Sequence, residues 1–239
     1  MLNRTSGIFL VSSAINTKFG VFDSLNRIHQ TLNTISSIRR SVENVKIILL
    51  EMAAIPLTEE QKLIFRPVVD EIMEFYTNTE VQDLYKDENW DIVKNVTEVT
   101  CFAIALDSLI TDSKLSQSDR VYKISGRYSL NEKFNHSFHC SCEKIIVSKR
   151  RRSQFPFVIT GGIRYQYMSR LWSWPTNLSP TILKVYKEGL IYIKNQIGRR
   201  GYCDIEHMLY KFLPEYQVLP VEFVGIEGML GPNGDYVGD

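Results

Sequence analysis

Two short stretches of this sequence combine residue types suited to chemistry on an activated, negatively charged substrate. Asp204-Ile205-Glu206-His207 sets two carboxylates beside an imidazole. Either carboxylate could be a general base that takes a proton from an acceptor hydroxyl. If Asp204 instead caps a helix, its oxygens are committed to backbone donors and Glu206 faces elsewhere; both readings stay open. Ser125-Gly126-Arg127 is the second stretch. Its small residues let a backbone approach a diphosphate, and a guanidinium binds phosphate bidentately; the bland alternative is a plain turn. Glu51, closing an apolar run, could accept from a ribose or a base, or simply be solvated.

Three further clusters carry weaker signals. His136, His139, Cys140 and Cys142 are zinc-ligand types. On a strand, however, His139 would point away from the other three, and paired zinc spacing is absent, so half-buried strand residues are the default reading. Lys149-Arg150-Arg151-Arg152 followed by Phe155 could touch phosphates or an anionic surface, or form a solvated loop. Tyr165-Gln166-Tyr167 and Leu171-Trp172-Ser173-Trp174 could stack on a sugar face or pack in the core. Cys203 has no His and Asp at convincing spacing, which disfavours a cysteine hydrolase.

No GxxxxGK[ST] loop occurs and no GxGxxG follows the first apolar run, which sets aside a P-loop kinase and a dinucleotide dehydrogenase. The 239 residues are 44% hydrophobic and include 12 Tyr and 12 Phe, enough to bury one large α/β core with a C-terminal elaboration. The formal net charge of +1 supplies no global field toward nucleic acid, and no nucleic-acid partner is expected. The four cysteines are too scattered for a disulfide scaffold and suit reduced thiols in a cytoplasmic protein. Arg4 precedes an apolar run too short to span a bilayer, and no other stretch is apolar enough for a transmembrane segment. Membrane contact would therefore be peripheral.

The elements that must position these residues are legible from periodicity. Residues 8–15 read as a strand buried on both faces. Asp23 serves as N-cap to a helix carrying Leu25, Ile28, Leu32, Ile35 and Ile38 at spacings of three and four. A second buried strand over 45–50 ends at Glu51, completing a βαβ unit. A helix from about residue 58 to Phe75, interrupted by Pro67, is expected next, then a polar loop over 83–95 and a buried helix over 97–110. Residues 119–128 read as a strand running into the Gly126 turn, 136–147 and 155–160 as further strands, 180–197 and 204–212 as helices, and 225–239 as an irregular tail. In such a sheet, ligands bind at the carboxyl ends of the strands near a topological switch point. Those ends are Ser12-Ser13-Ala14, Leu50-Glu51 and Ser125-Gly126-Arg127.

This order of parts resembles a nucleotide-diphospho-sugar transferase of the GT-A fold. The resemblance rests on the opening strand, Arg27-Ile28-His29-Gln30-Thr31, the strand ending at Glu51, Lys94-Asn95-Val96-Thr97-Glu98, and Lys123-Ile124-Ser125-Gly126-Arg127-Tyr128. It implies a single Rossmann-related α/β domain over 1–239, mostly parallel in its sheet, with a nucleotide-binding half (1–130) and an acceptor-binding half and tail (131–239). The implied reaction is sugar transfer from a nucleoside-diphosphate donor to a glycan or other hydroxyl acceptor; the alternatives are a non-catalytic relative that binds a nucleotide or glycan, and a nucleic-acid-associated accessory protein using the Lys149 to Arg152 loop. Ser12, Ser13, Arg27, Glu51, Lys94, Lys123, Ser125, Gly126 and Arg127 would bind the donor, and Asp204 or Glu206 would be the base. Family members usually hold a divalent metal on an Asp-x-Asp motif after this strand. Ser125-Gly126-Arg127 stands there instead, so no metal ligand is assigned and a manganese or magnesium requirement stays open. Arg127, helped by Lys123 or the basic loop, would neutralise the departing diphosphate.

Overall fold

The first strand, β1 (Gly7–Ser13), has no polar residue before Ser12 and is buried along its whole length. The computed structural model of the protein describes residues 5–230 and 234–238; Arg4 and part of the tail read above lie outside them. Chain reversal after β1 leads to α1 (Ser24–Ser41), whose N-cap Asp23 accepts from Asn26 N and whose last turn carries Arg39 and Arg40, matching charge to the helix dipole. Then follow β2 (Val45–Glu51), α2 (Glu59–Phe65), β3 (Glu71–Glu74), α3 (Thr79–Tyr85) and α4 (Thr97–Thr111). The next elements are β4 (Arg120–Ser125), β5 (Tyr128–Leu130), α5 (His136–Ser141), β6 (Ile145–Ser148), β7 (Arg151–Arg152), β8 (Tyr165–Gln166) and β9 (Leu171–Pro175). The chain continues through α6 (Ser179–Gly198), α7 (Ile205–Phe212), β10 (Val218–Val221), β11 (Ile226–Met229) and β12 (Tyr236–Gly238).

Seven strands form one sheet in the order β10-β6-β9-β4-β1-β2-β3. The strands β1 to β4 pair in parallel, β10 pairs parallel with β6, and β9 runs antiparallel between β4 and β6. Alternation along the strands splits the core. Ile8, Leu10, Ile48 and Leu50 pack with Val99 and Phe102 of α4 and Tyr186 of α6. Phe9, Val11, Ile47 and Leu49 pack with Ile28, Ile35 and Ile38 of α1. Helices on both faces are what a parallel sheet of apolar strands needs. A smaller sheet, β12-β11-β5, lies beyond the α1 side, since α1 packs on β5.

Several expectations from the sequence are corrected. The helix expected to run to Phe75 stops at Phe65: Arg66 keeps helical backbone and donates to the Lys62 carbonyl, but Pro67 has no N–H with which to continue the ladder; Ile72 then lies on β3. The expected polar loop over 83–95 is shorter than read: α3 occupies its first residues and a π-helical turn, Ile92–Val96, its last. Residues 136–141 are helix rather than strand because Asn135 caps Phe138 N at 2.9 Å. On that helix His136 and Cys140 lie side by side, with Sγ 3.4 Å from Nε2, while His139 turns inward to Ser173 Oγ at 2.7 Å. Among the described residues no group of three or more His, Cys, Asp and Glu side chains comes together as a metal site. Residues 155–160 form turns, not a strand, and the tail contributes β11 and β12. Trp172 and Trp174 are fully buried on β9, so their rings are core. No helix among the described residues is long and apolar enough to cross a membrane.

Candidate active site

Strand connections leave β1 toward β2 on one side and toward β4 on the other. That reversal is where open α/β sheets form their ligand crevice, beyond the carboxyl ends of the strands. A cavity of about 580 Å³ lies there, a volume within the range of small-molecule sites. Ser12 and Ser13 line it from β1, Ser125, Gly126 and Arg127 from the end of β4, and Arg27 from α1. Lys94 enters from the π-helical turn, Lys123 from within β4, and Asp204 and Glu206 from the start of α7. The two halves of the chain therefore meet at one cavity.

The exception is Glu51. It does not line the cavity and is 1% exposed. Ser13 Oγ donates to Glu51 Oε2 at 2.5 Å and Ile15 N to Oε1 at 2.8 Å. The carboxylate thus ties the ends of β1 and β2 together and has nothing left for a ribose. Burial, opposed by these donors, lifts its pKa from an ordinary 4.5 to about 7. Lys123 is also committed: its ammonium, fully buried, donates to Glu98 Oε1 at 2.9 Å and to the Ser169 carbonyl at 3.0 Å.

The turn after β4 serves differently from the expectation. Gly126 N donates to the Ser12 carbonyl and Ser125 N to the Arg170 carbonyl, so neither amide is available to a phosphate. A side chain at Gly126 would meet Thr31 Oγ1 at 2.9 Å; the glycine lets the turn pack on α1. What the turn presents to the cavity is Arg127. Its buried Nε has no hydrogen-bond partner among the described residues, and neither do Gln30 Oε1 and Thr97 Oγ1 on the same wall. Buried polar atoms left unpaired are costly. Among the described residues Arg27, 8% exposed, donates to the carbonyls of Phe22 and Phe19 alone. Burial first, and then repulsion from Arg127, lower its pKa. Among the described residues neither arginine makes an ion pair. Two guanidinium groups thus line one cavity without an ion-pair partner among the described residues, with Glu51 and Glu98 acting on them only at longer range.

Across the cavity the two carboxylates part company. Asp204 caps α7: His207 N donates to Oδ1 at 2.9 Å, His207 Nδ1 lies 2.6 Å from the same oxygen, and Tyr202 OH donates to Oδ2 at 3.0 Å. Burial raises its pKa, but the bonds from His207 and Tyr202 outweigh burial and hold it below the ordinary value. Glu206 receives one bond, from Ser169 Oγ to Oε1 at 2.6 Å; Oε2 accepts none from the described residues. Burial, and then the negative charge of Asp204, raise the Glu206 pKa, which Ser169 and Lys94 only partly offset. A raised carboxyl with one open oxygen at a cavity has the attributes of a general base.

His207 also lies 2.8 Å from Ser153 Oγ through Nε2, giving the order Asp204, His207, Ser153. Ser153 does not line the cavity, and its Oγ already accepts from Phe155 N at 3.0 Å. The chain of contacts fastens the loop after β7 to α7 instead of activating a nucleophile.

Sequence reasoning missed Glu98, Gln30 and Arg170, all on the cavity wall. A signal existed for the first two. Glu98 stands four residues after Lys94, and Arg27, Thr31 and Thr34 put polar side chains on the buried face of α1. At the position where the resemblance implies a metal-holding Asp-x-Asp, the side chain offered is a guanidinium, and nearby Glu98 is engaged by Lys123. These residues do not fit a divalent cation. No protein-family model matches this sequence, and no curated protein matches it.

Proposed function

We propose that the protein is a glycosyltransferase of GT-A-like build, which moves a sugar from a nucleoside diphosphate to an acceptor hydroxyl. The observation that carries this reading is the opposition within one cavity of two arginines that make no ion pair among the described residues, Arg27 and Arg127, and a carboxylate with an open oxygen, Glu206. The first is suited to an anionic leaving group, the second to a proton. In the transfer step the acceptor oxygen bonds to the anomeric carbon and gives its proton to Glu206 Oε2. The bond from that carbon to the diphosphate oxygen breaks, and its electron pair stays on the diphosphate. The charge that develops is met by Arg27, which is buried, and Arg127, which is partly exposed; both are in place before the reaction. Lys94, held over the Trp90 ring at 4.6 Å, adds positive charge on the side of Glu206. Asp204 acts as a positioning residue: it fixes the first turn of α7 and, by its own charge, makes Glu206 more basic.

Thermal shift with a panel of nucleoside diphosphates, each with and without manganese, tests the donor site, and hydrolysis of the matching nucleotide sugar tests the chemistry. Stabilisation without metal, together with turnover, supports the reading. Binding without turnover would leave a non-catalytic nucleotide- or glycan-binding protein. No response to any diphosphate would remove the donor site.

A further inference from the structure

The hairpin of β7 and β8 carries the basic run Lys149-Arg150-Arg151-Arg152 into its first arm, and the mechanism leaves that run unused. Between the arms, Phe155, Pro156, Phe157, Val158 and Ile159 are consecutive, apolar and all exposed, Val158 to 88%. A contiguous exposed apolar run marks an interaction surface.

This loop is held outward. Phe155 stacks on Tyr202 with ring centres 3.9 Å apart, and Tyr202 N donates to the Ile159 carbonyl at 2.9 Å. Thr160 Oγ1 donates to the Ile163 carbonyl at 2.6 Å, and Ser153 is bound to His207 as described. The exposed side chains are therefore presented by a braced turn.

Lys149, at the start of the basic run, is paired with Glu222, but the exposed charge on the hairpin beyond it is positive. Arg151, Arg152 and Arg164 are exposed on the hairpin, with Arg164 over the Phe157 ring at 4.8 Å. Arg199 and Arg200, exposed at the end of α6, adjoin it through the Tyr202 to Ile159 contact. None of these five enters an ion pair among the described residues, and the sequence has no acidic residue between Glu143 and Glu188. With a formal net charge of only +1 for the whole chain, this collar is a local concentration of cations.

We propose that this loop docks the protein on an anionic phospholipid bilayer. The apolar tip would enter the boundary between headgroups and acyl chains while the arginines contact lipid phosphates. Both halves of that chemistry are required for binding in the interface. A nucleic acid would use the arginines and could stack on Phe155 and Phe157, but gives Pro156, Val158 and Ile159 no partner. Phe155 also lines the cavity, so docking brings the cavity rim to the lipid surface.

The test is co-sedimentation of the full chain with vesicles of equimolar phosphatidylglycerol and phosphatidylcholine, against vesicles of phosphatidylcholine alone. The wild-type protein should pellet with the anionic vesicles only, and salt should weaken it. Val158→Asp should lose at least about tenfold in partitioning, and Arg151→Gln and Arg152→Gln about fivefold each. All three positions are exposed, so thermal unfolding should be unchanged; Phe157→Ser serves as a second apolar variant. No partitioning onto anionic vesicles, equal partitioning of the wild type and the variants, or preferential binding to RNA or DNA over vesicles would each overturn the proposal.

Discussion

Ser169 donates to Glu206 Oε1 at 2.6 Å, and the other oxygen of that carboxylate takes no donor from the described chain. Asp204, two residues earlier, has both oxygens engaged. For the proposed reaction, the contrast favours Glu206 over Asp204 as the base. Glu206→Gln is expected to lower turnover by roughly a hundredfold or more while diphosphate affinity is kept. Turnover within a fewfold of the wild type would remove Glu206 as base.

Asp204→Asn has a distinct signature. Burial is the first cause of the raised Glu206 pKa and the charge of Asp204 the second. The base works ionised, so the rate should climb with pH through that raised pKa. Removing the Asp204 charge lowers the proton affinity of Glu206 and should move this limb toward lower pH. A drop in rate with the limb unmoved would mean that Asp204 contributes only by capping α7.

Burial is the first cause that acts against the charge on Arg27, and repulsion from Arg127 is the second. Arg127→Gln should therefore leave the ligand-free protein as stable as the wild type or slightly more so. It should also weaken nucleoside diphosphate binding by about tenfold or more, the scale of a lost charge-assisted bond. Calorimetry and unfolding measured together check both arms. Unchanged affinity would end the phosphate assignment.

Much of this arrangement was legible in the residues alone, and the reasons it was legible are local. Apolar runs covered on both faces announce β1 and β2, Asp23 announces α1, and the strand ends then fall at Ser13, Glu51 and Ser125 by geometry. What stayed hidden depends on contacts distant in sequence. Glu51 ends the right strand but bonds to Ser13 and Ile15, a partnership set by the β1 to β2 register. The choice between Asp204 and Glu206 depends on where Tyr202, His207 and Ser169 fall. Trp172 and Trp174 could be placed in the core only once β9 was seen to insert antiparallel beside β4. The helix at His136 has a local signal in Asn135, masked by residues that suit a strand equally well.

Lys123 and Glu98 form an ion pair that is sealed on one side, with side-chain exposures of 1% and 22%. For Glu98, burial pushes the pKa up, but Lys123 overcomes it and the net direction is down. Lys123→Met leaves that carboxylate uncompensated and should destabilise the fold by about 3 kcal/mol or more. Adding Glu98→Gln should recover most of the loss. If the doubly substituted protein still binds nucleoside diphosphate, Lys123 is a support for the site and not a ligand.

Glu51 makes a prediction that tests the fold apart from any function. Its folded pKa is raised to about 7 from an ordinary 4.5 because burial outweighs the bonds from Ser13 and Ile15. Below the unfolded value both states keep the proton and its contribution to stability is whole. As pH rises the unfolded chain ionises first, so that contribution declines and is gone once pH passes the folded value. The loss is on the order of 3 kcal/mol. Glu51→Gln cannot ionise. Whatever its absolute stability after disturbing two hydrogen bonds, its unfolding free energy should fall less steeply than that of the wild type across that window. Denaturant unfolding at a series of pH values measures the two slopes. Parallel slopes would mean that the Glu51 carboxyl is solvated in the folded protein, which the observed pairing of β1 with β2 does not allow.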